Sequence, residues 1–305
     1  MIRMIRTITL LTAAFGLITS AIAARAADTN FQIASPSQKS VPTYTLTDTG
    51  SFNPGSGERS ASGINFLGHV VGFEVLSQAV HPFVYVNGKS VNLTLLLPPV
   101  DGGYVVGYAT ALNIRDQVVG YQNFSPKSFL YQNGKALIFG MPNSLWTRAT
   151  GINDFGQIVG YFGGNVEGVL EHPFLRQPNG KLSDLGTFGG ISATASAIND
   201  RGQIAVNVDR ADGSFHALLV HPGGTASSDL GSFTYANGLN QLGQVVGSVQ
   251  VSPAVFTPDY VPAVYHAIRY SGGRIQDLGT PSGFDSSSAN EINNFGLVVG
   301  SAWDR

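Results

Sequence analysis

The stretch Gly151-Ile152-Asn153-Asp154-Phe155-Gly156-Gln157-Ile158-Val159-Gly160 decides the fold. Two short apolar runs flank Asn-Asp-Phe-Gly, a turn signal in which the Asn side chain caps the turn and Gly takes a positive φ. The stretch therefore predicts a hairpin between a strand ending at Ile-Asn and a strand formed by Gln-Ile-Val-Gly. The same pattern returns at Gly63 to Gly72, Ala111 to Gly120, Ala197 to Asn207, Gly238 to Gly247 and Glu291 to Gly300. Its asparagines, Asn65, Asn113, Asn153, Asn199, Asn240 and Asn293, are spaced by 48, 40, 46, 41 and 53 residues.

Two further elements lie between these copies. One is an apolar strand, headed by His in four of five copies: His81-Pro82-Phe83, Lys127-Ser128-Phe129, His172-Pro173-Phe174, His216-Ala217-Leu218 and His266-Ala267-Ile268. The other is Asp184-Leu185-Gly186, Asp229-Leu230-Gly231 and Asp277-Leu278-Gly279, with Asp48-Thr49-Gly50 as a weaker copy. Turn dipeptides such as Asn87-Gly88, Asn133-Gly134 and Asn179-Gly180 join the two. Strands a, b, c and d in order make one four-stranded antiparallel unit of about 45 residues, the size of a propeller blade.

The expected fold is all-β, a six-bladed β-propeller. Five complete units run from residue 60 to 280, and a final a-b pair spans Ser288 to Gly300. Phe31 to Ala34 and Thr43 to Gly50 are expected to supply strands c and d of that last blade, closing the ring without exposed edges. The chain is expected to divide into a secretory signal at 1–26 and a single propeller domain at 27–305. Arg3 and Arg6, the apolar run Ile8 to Ala24 and the small residues after it have the three parts of such a signal, with cleavage after Ala26 or, alternatively, Ala23. The remaining chain has no stretch of membrane-spanning length, so a secreted or periplasmic, monomeric protein is expected.

The motif His-x-Phe-Leu, Asp-Leu-Gly-Thr, Ile-Asn-x-x-Gly-Gln-Val-Val-Gly resembles the HAF repeats, predicted extracellular proteins of bacteria. The second and fourth copies depart from the His-Ala-Phe triplet, and the copy at Ala197 ends in Ala205-Val206-Asn207. The resemblance implies export and a repeat β architecture, and no catalytic residues.

Composition limits the function. There is no Cys, hence no disulfide, thiol nucleophile or Cys-ligated metal. With 17 basic against 19 acidic residues and no basic cluster, nucleic acid is not an expected partner. The His and Asp positions recur once per repeat and read as local structural bonds, so no metal and no cofactor is expected.

The turns a-to-b and c-to-d are short, whereas the b-to-c links vary. Divergent loops on a rigid scaffold are where binding concentrates. The longest, Ser248 to Tyr265, carries Phe256, Asp259 and Tyr260 among three prolines. Trp146, Glu167, Asp209 and Arg210 are the other non-repeat residues expected on or near that face. The reading is a non-catalytic protein that binds an extracellular protein or glycan there. The competing classes are a hydrolase or lyase at the central channel and a structural surface or matrix protein. The enzyme predicts a polar central pocket with a strongly shifted titratable group. The binder predicts an aromatic-bearing patch on the b-to-c face.

Overall fold

The computed structural model describes residues 58–76, 79–98, 107–123, 127–164, 170–223, 227–256 and 260–304. The proposed signal and the segments 31–34 and 43–50 lie outside them. The described chain is built of β-strands, with a single 3₁₀ turn at Thr94–Leu96.

Five four-stranded antiparallel sheets follow one another along the chain. The first contains β1 (Arg59–Ile64), β2 (Val70–Leu76), β3 (Ala79–Val86) and β4 (Lys89–Asn92). The second contains β5 (Gly107–Leu112), β6 (Val118–Gln122), β7 (Ser128–Gln132) and β8 (Lys135–Phe139). The third contains β9 (Trp146–Ile152), β10 (Ile158–Gly163), β11 (His172–Arg176) and β12 (Leu182–Asp184). The fourth contains β13 (Ser192–Ile198), β14 (Ile204–Asp209), β15 (Phe215–Val220) and β16 (Ser227–Ser232). The fifth contains β17 (Thr234–Leu239), β18 (Val245–Ser252), β21 (Val264–Ser271) and β22 (Arg274–Gly279). Between β18 and β21 a small ribbon is inserted, β19 (Val255–Phe256) with β20 (Tyr260–Val261). The final pair is β23 (Ser286–Ile292) and β24 (Val298–Trp303).

The turn chemistry explains each hairpin. In the a-to-b turn of the third sheet the Asn153 amide bonds to the Gln157 carbonyl and the Gly156 amide to the Asn153 carbonyl. Gly156 has φ +80°, as the left-handed last residue of a three-residue hairpin loop requires. Asp116 holds that conformation in the second sheet, at φ 56°. The c-to-d turns at Asn87-Gly88 and Asn133-Gly134 have two successive positive φ values, the mirror-image turn that suits right-twisted strands.

Every first strand carries a bulge at one place, so that Ser62, Thr110, Thr150, Ser196, Asn237 and Asn290 are each the extra residue. Consecutive sheets pack face to face through shared apolar clusters. Val71 and Val84 of the first sheet meet Ala109, Leu112, Val118 and Phe129 of the second. Val119 and Leu130 meet Ala149, Ile158 and Phe174, and Val159 meets Ala193, Val206 and Leu218. Phe83, Phe129 and Phe174 are almost fully buried, each stabilising its layer by about 2–3 kcal/mol.

Two hydrogen-bonded girdles run between sheets at the a-to-b turns. In the first, Asn65 Nδ2 donates to the Asn113 carbonyl, Asn113 to Asn153, Asn153 to Asn199, Asn199 to Asn240 and Asn240 to Asn293, each at 3.0 Å. In the second, the amides of Ile114, Asp154, Asp200 and Gln241 donate to the side chains of Asp154, Asp200, Gln241 and Asn294 in turn.

The departure at Val206-Asn207 has a related cause. At the bulge, Thr110 and Thr150 hydroxyls donate to the Ala149 and Ala195 carbonyls of the next sheet. Ser196 is shorter and reaches only the Ala205 carbonyl of its own sheet. Asn207 supplies the missing link, donating to the Ala236 carbonyl at 3.0 Å and accepting from its amide at 2.8 Å.

Candidate functional site

The first strands of all five four-stranded sheets, together with β23, line one cavity of about 450 Å³ at the a-to-b turn end. Sheets set side by side around a common cavity form the β-propeller arrangement. Ile64, Leu112, Ile152, Ile198, Leu239 and Ile292 form one layer of its wall, and Ser62, Thr110, Thr150 and Ser196 add hydroxyls. Between these layers each first strand carries a small residue, Gly63, Ala111, Gly151, Ala197 or Gly238, where neighbouring strands approach. Glu291 occupies the same register in β23, opposite Val299. Its Oε2 lies 3.0 Å from where a Cβ on Gly238 would sit, so the glycine makes room for the carboxylate. The group is open to the cavity but ringed by protein. This removal from bulk water pushes its pKa up to about 7, against a smaller downward pull from the Ile292 amide.

A second cluster lies where the first strands begin and the second strands end, the b-to-c end of the ring. Phe73 meets Tyr108 edge-on, Tyr108 stacks on Tyr121 at 5.2 Å, and Arg148 sits over both Tyr121 and Trp146. Trp146 in turn meets Tyr161 edge-on. Burial raises the Glu171 carboxyl, the Arg148 charge pulls it down, and the Asp209 charge raises it again. Burial and then Asp209 raise Tyr235 as well, and that ring stacks on Phe215 at 4.3 Å. Trp146 and Asp209 therefore lie in one aromatic and charged neighbourhood, linked through Arg148 and Glu171.

Arg210 points elsewhere, donating to the Phe188 carbonyl and lying 4.0 Å from Asp229. Phe256 and Tyr260 face each other across the inserted ribbon, with ring centroids 5.4 Å apart. They are 86% and 61% exposed. The expected free loop between Ser248 and Tyr265 is instead strand over most of its length, because β18 and β21 continue pairing to Ser252 and Val264. Asp259 and Glu167 lie outside the described residues.

The recurrent His and Asp meet each other. His172 Nδ1 pairs with Asp184 at 3.0 Å, His216 with Asp229 at 2.9 Å and His266 with Asp277 at 2.9 Å. The other oxygen of each Asp accepts the amide two residues on, at Gly186, Gly231 or Gly279. Burial raises Asp229 and Asp277, but these bonds and the His charge together outweigh it and leave both pKa values below the usual 3.8. The stability they contribute is complete above pH 3.8 and is lost as pH falls through the lower folded values. Asp229→Asn is expected to cost less than ~1 kcal/mol at neutral pH, since the Asp229 side chain is nearly half exposed. It should also flatten the fall in urea midpoint below about pH 4. An acid limb identical to that of the wild type would contradict this pairing.

Glu291, Tyr121, Arg148 and Glu171 are site residues that the sequence reading did not select. Glu291 had a signal, being the one acid at a repeat position otherwise held by Gly or Ala.

No protein-family model matches the chain, and no curated protein is similar enough to count as a relative. Among solved structures, it is similar to one in a nidogen/laminin complex, with 12% identity over 77% of this chain and 85% of the other and a TM-score of 0.46. TolB from Acinetobacter baumannii gives 12% identity and a TM-score of 0.47; the match covers 77% of this chain and spans 63% of TolB. A gluconolactonase from Xanthomonas campestris gives 12% identity over 81% and 89%, with a TM-score of 0.43.

Proposed function

We propose that this chain is an exported binding protein that engages an extracellular protein or glycan through the b-to-c face of a six-bladed propeller, without chemistry of its own. The observation that carries this reading is the Phe256–Tyr260 pair. Two large rings stand in solvent on a hydrogen-bonded ribbon. Aromatic anchors held rigidly in solvent lose little freedom on binding and supply most of the energy of small interfaces. The Tyr121–Arg148–Trp146 cluster supplies further aromatic surface at the same end of the ring.

The blade count rests on five complete sheets and the β23–β24 pair sharing one cavity, with 31–34 and 43–50 assigned to complete the sixth. Export rests on the basic start and apolar run within residues 1–26, and the HAF-like repeats fit the same reading. A channel enzyme draws support from the shifted Glu291. Acid–base cleavage needs a second positioned group, and Glu291 is the one titratable side chain in the described cavity wall.

The test is a glycan and secreted-protein binding screen of residues 27–305, repeated with Phe256→Ala and Tyr260→Ala. Each substitution should weaken a hit by at least about tenfold, as loss of an aromatic hot spot does. Thermal melting should stay unchanged, because both rings are exposed. Binding that ignores both substitutions would sink the assignment.

A further inference from the structure

The structure assigns the central cavity as a binding site for a small organic cation, a primary or secondary ammonium group held by Glu291. Three observations carry this. Among the described residues the cavity wall is otherwise uncharged, made of apolar side chains, hydroxyls and side-chain amides, and Glu291 is its one charged side chain. The carboxylate stands where every other first strand has Gly or Ala, and Gly238 leaves the space its Oε2 occupies. The wall also offers the Ser62 and Thr150 hydroxyl oxygens as further acceptors.

That donor set selects the ligand class. An ammonium brings two or three N–H donors to one carboxylate and neutral oxygens, which satisfies both sides. A divalent metal would need several carboxylate ligands, and among the described residues no group of three His, Asp or Glu is placed to hold one. An anion would meet the carboxylate with no compensating cation among the described lining residues.

Among the described residues, no charged side chain is near enough to oppose the Glu291 charge. β24 and β18 carry no titratable side chain, and β17 carries Tyr235, three residues from Gly238. β21 carries Tyr265, His266, Arg269 and Tyr270; His266 pairs with Asp277 and Arg269 donates to Gln276 Oε1. Across the cavity, Arg59 on β1 is paired with Glu74, and Arg148 on β9 lies over Tyr121. Binding therefore follows the ionisation of Glu291, whose pKa is about 7. An alkylammonium keeps its proton throughout that range.

The experiment is calorimetric titration of the full chain with n-butylammonium, with n-butanol and butyrate as neutral and anionic isosteres. The ammonium should bind more tightly than either. Its affinity should fall about tenfold from pH 8 to pH 6, following the deprotonated fraction of one group. Glu291→Gln should weaken binding at least about tenfold and remove the pH dependence. Glu291→Gly restores the residue found in the first, third and fifth sheets, so it keeps the test valid should the Gln variant fold poorly. Equal affinity in either variant, tighter binding of butanol, or no ammonium binding by the wild type between pH 6 and 9 would overturn the assignment. Phe256→Ala should leave this binding unchanged, which separates the cavity from the proposed b-to-c site.

Discussion

Gly160→Ala is expected to cost on the order of 4 kcal/mol or more, enough to leave most of the chain unfolded or insoluble. Gly160 lies in the second strand of the third sheet, opposite the bulge at Thr150. A Cβ there would overlap the Arg148 carbonyl oxygen and come within 2.8 Å of the Ala149 Cα. Both are backbone atoms, so no change of rotamer relieves the clash. The strand they belong to is held on its far side by the Thr150 link to Ala195 and by the apolar layer around Ala149. Gly72, Gly120, Gly247 and Gly300 face the same geometry, and at Gly120 the Phe129 ring also closes in to 2.6 Å. The fourth sheet is the contrast: Val206, fully buried, stands in the equivalent register opposite Ala195 and packs in the apolar cluster with Val159 and Leu218. Val206→Gly should therefore fold and lose only about 2–3 kcal/mol, from its buried side chain and added chain entropy. Thermal melting of the two variants decides the point. A Gly160→Ala protein melting within ~2 °C of the wild type would show that the bulged strand yields, contrary to this packing.

Much of this architecture is legible in the sequence because its turns are chemically explicit. Asn-x-x-Gly at five of six a-to-b positions and Asn-Gly at three c-to-d positions specify hairpins; each of these glycines has a positive φ, but at Asn179-Gly180 the Asn does not, and that loop has three residues. What was harder to read lies between repeats. The cap role of Asn153 follows from its place in the turn and uses only Oδ1; the Nδ2 bond to Asn199 spans 46 residues, and no local pattern shows where that atom points. The His and Asp positions each suggest a local bond, but that they bond to each other depends on strands c and d being paired. The loop from Ser248 to Tyr265 looks irregular because of Pro253, Pro258 and Pro262, yet pairing continues to Ser252 and resumes as a ribbon. Glu291 stands out in the aligned copies only once all first strands are known to face one cavity.

Asn153→Asp tests whether the girdle is a fastening or a by-product of the turns. The two residues have the same shape, and the carboxylate keeps the acceptor bonds from the Phe155 and Gln157 amides, now at 3.1 and 2.9 Å. The other half of the side chain changes sign. Nδ2 donates to the Gln157 Oε1 at 2.8 Å and to the Asn199 carbonyl at 3.0 Å, and an oxygen in its place faces two acceptors. Gln157 can turn its amide to donate, at the expense of its 3.1 Å bond to Gln177. The Asn199 carbonyl belongs to the next sheet's turn and cannot. With only 3% of the residue exposed, water does not repair the loss. The expected cost is about 3 kcal/mol at pH 7, the sum of an unmet buried carbonyl and a buried, unpaired carboxylate. The introduced carboxyl should then have a raised pKa, so its penalty is largest above that value and shrinks as pH falls, when the protonated acid can donate to Asn199 again. Asn153→Ala should be comparably destabilised but with no such recovery. Urea melts of both variants at about pH 7 and pH 5 separate the cases. If the Asp variant matches the wild type at pH 7, the Nδ2 bond to the next sheet contributes nothing, and the apolar layers with the Thr150 and Asp154 links hold the two sheets together without it.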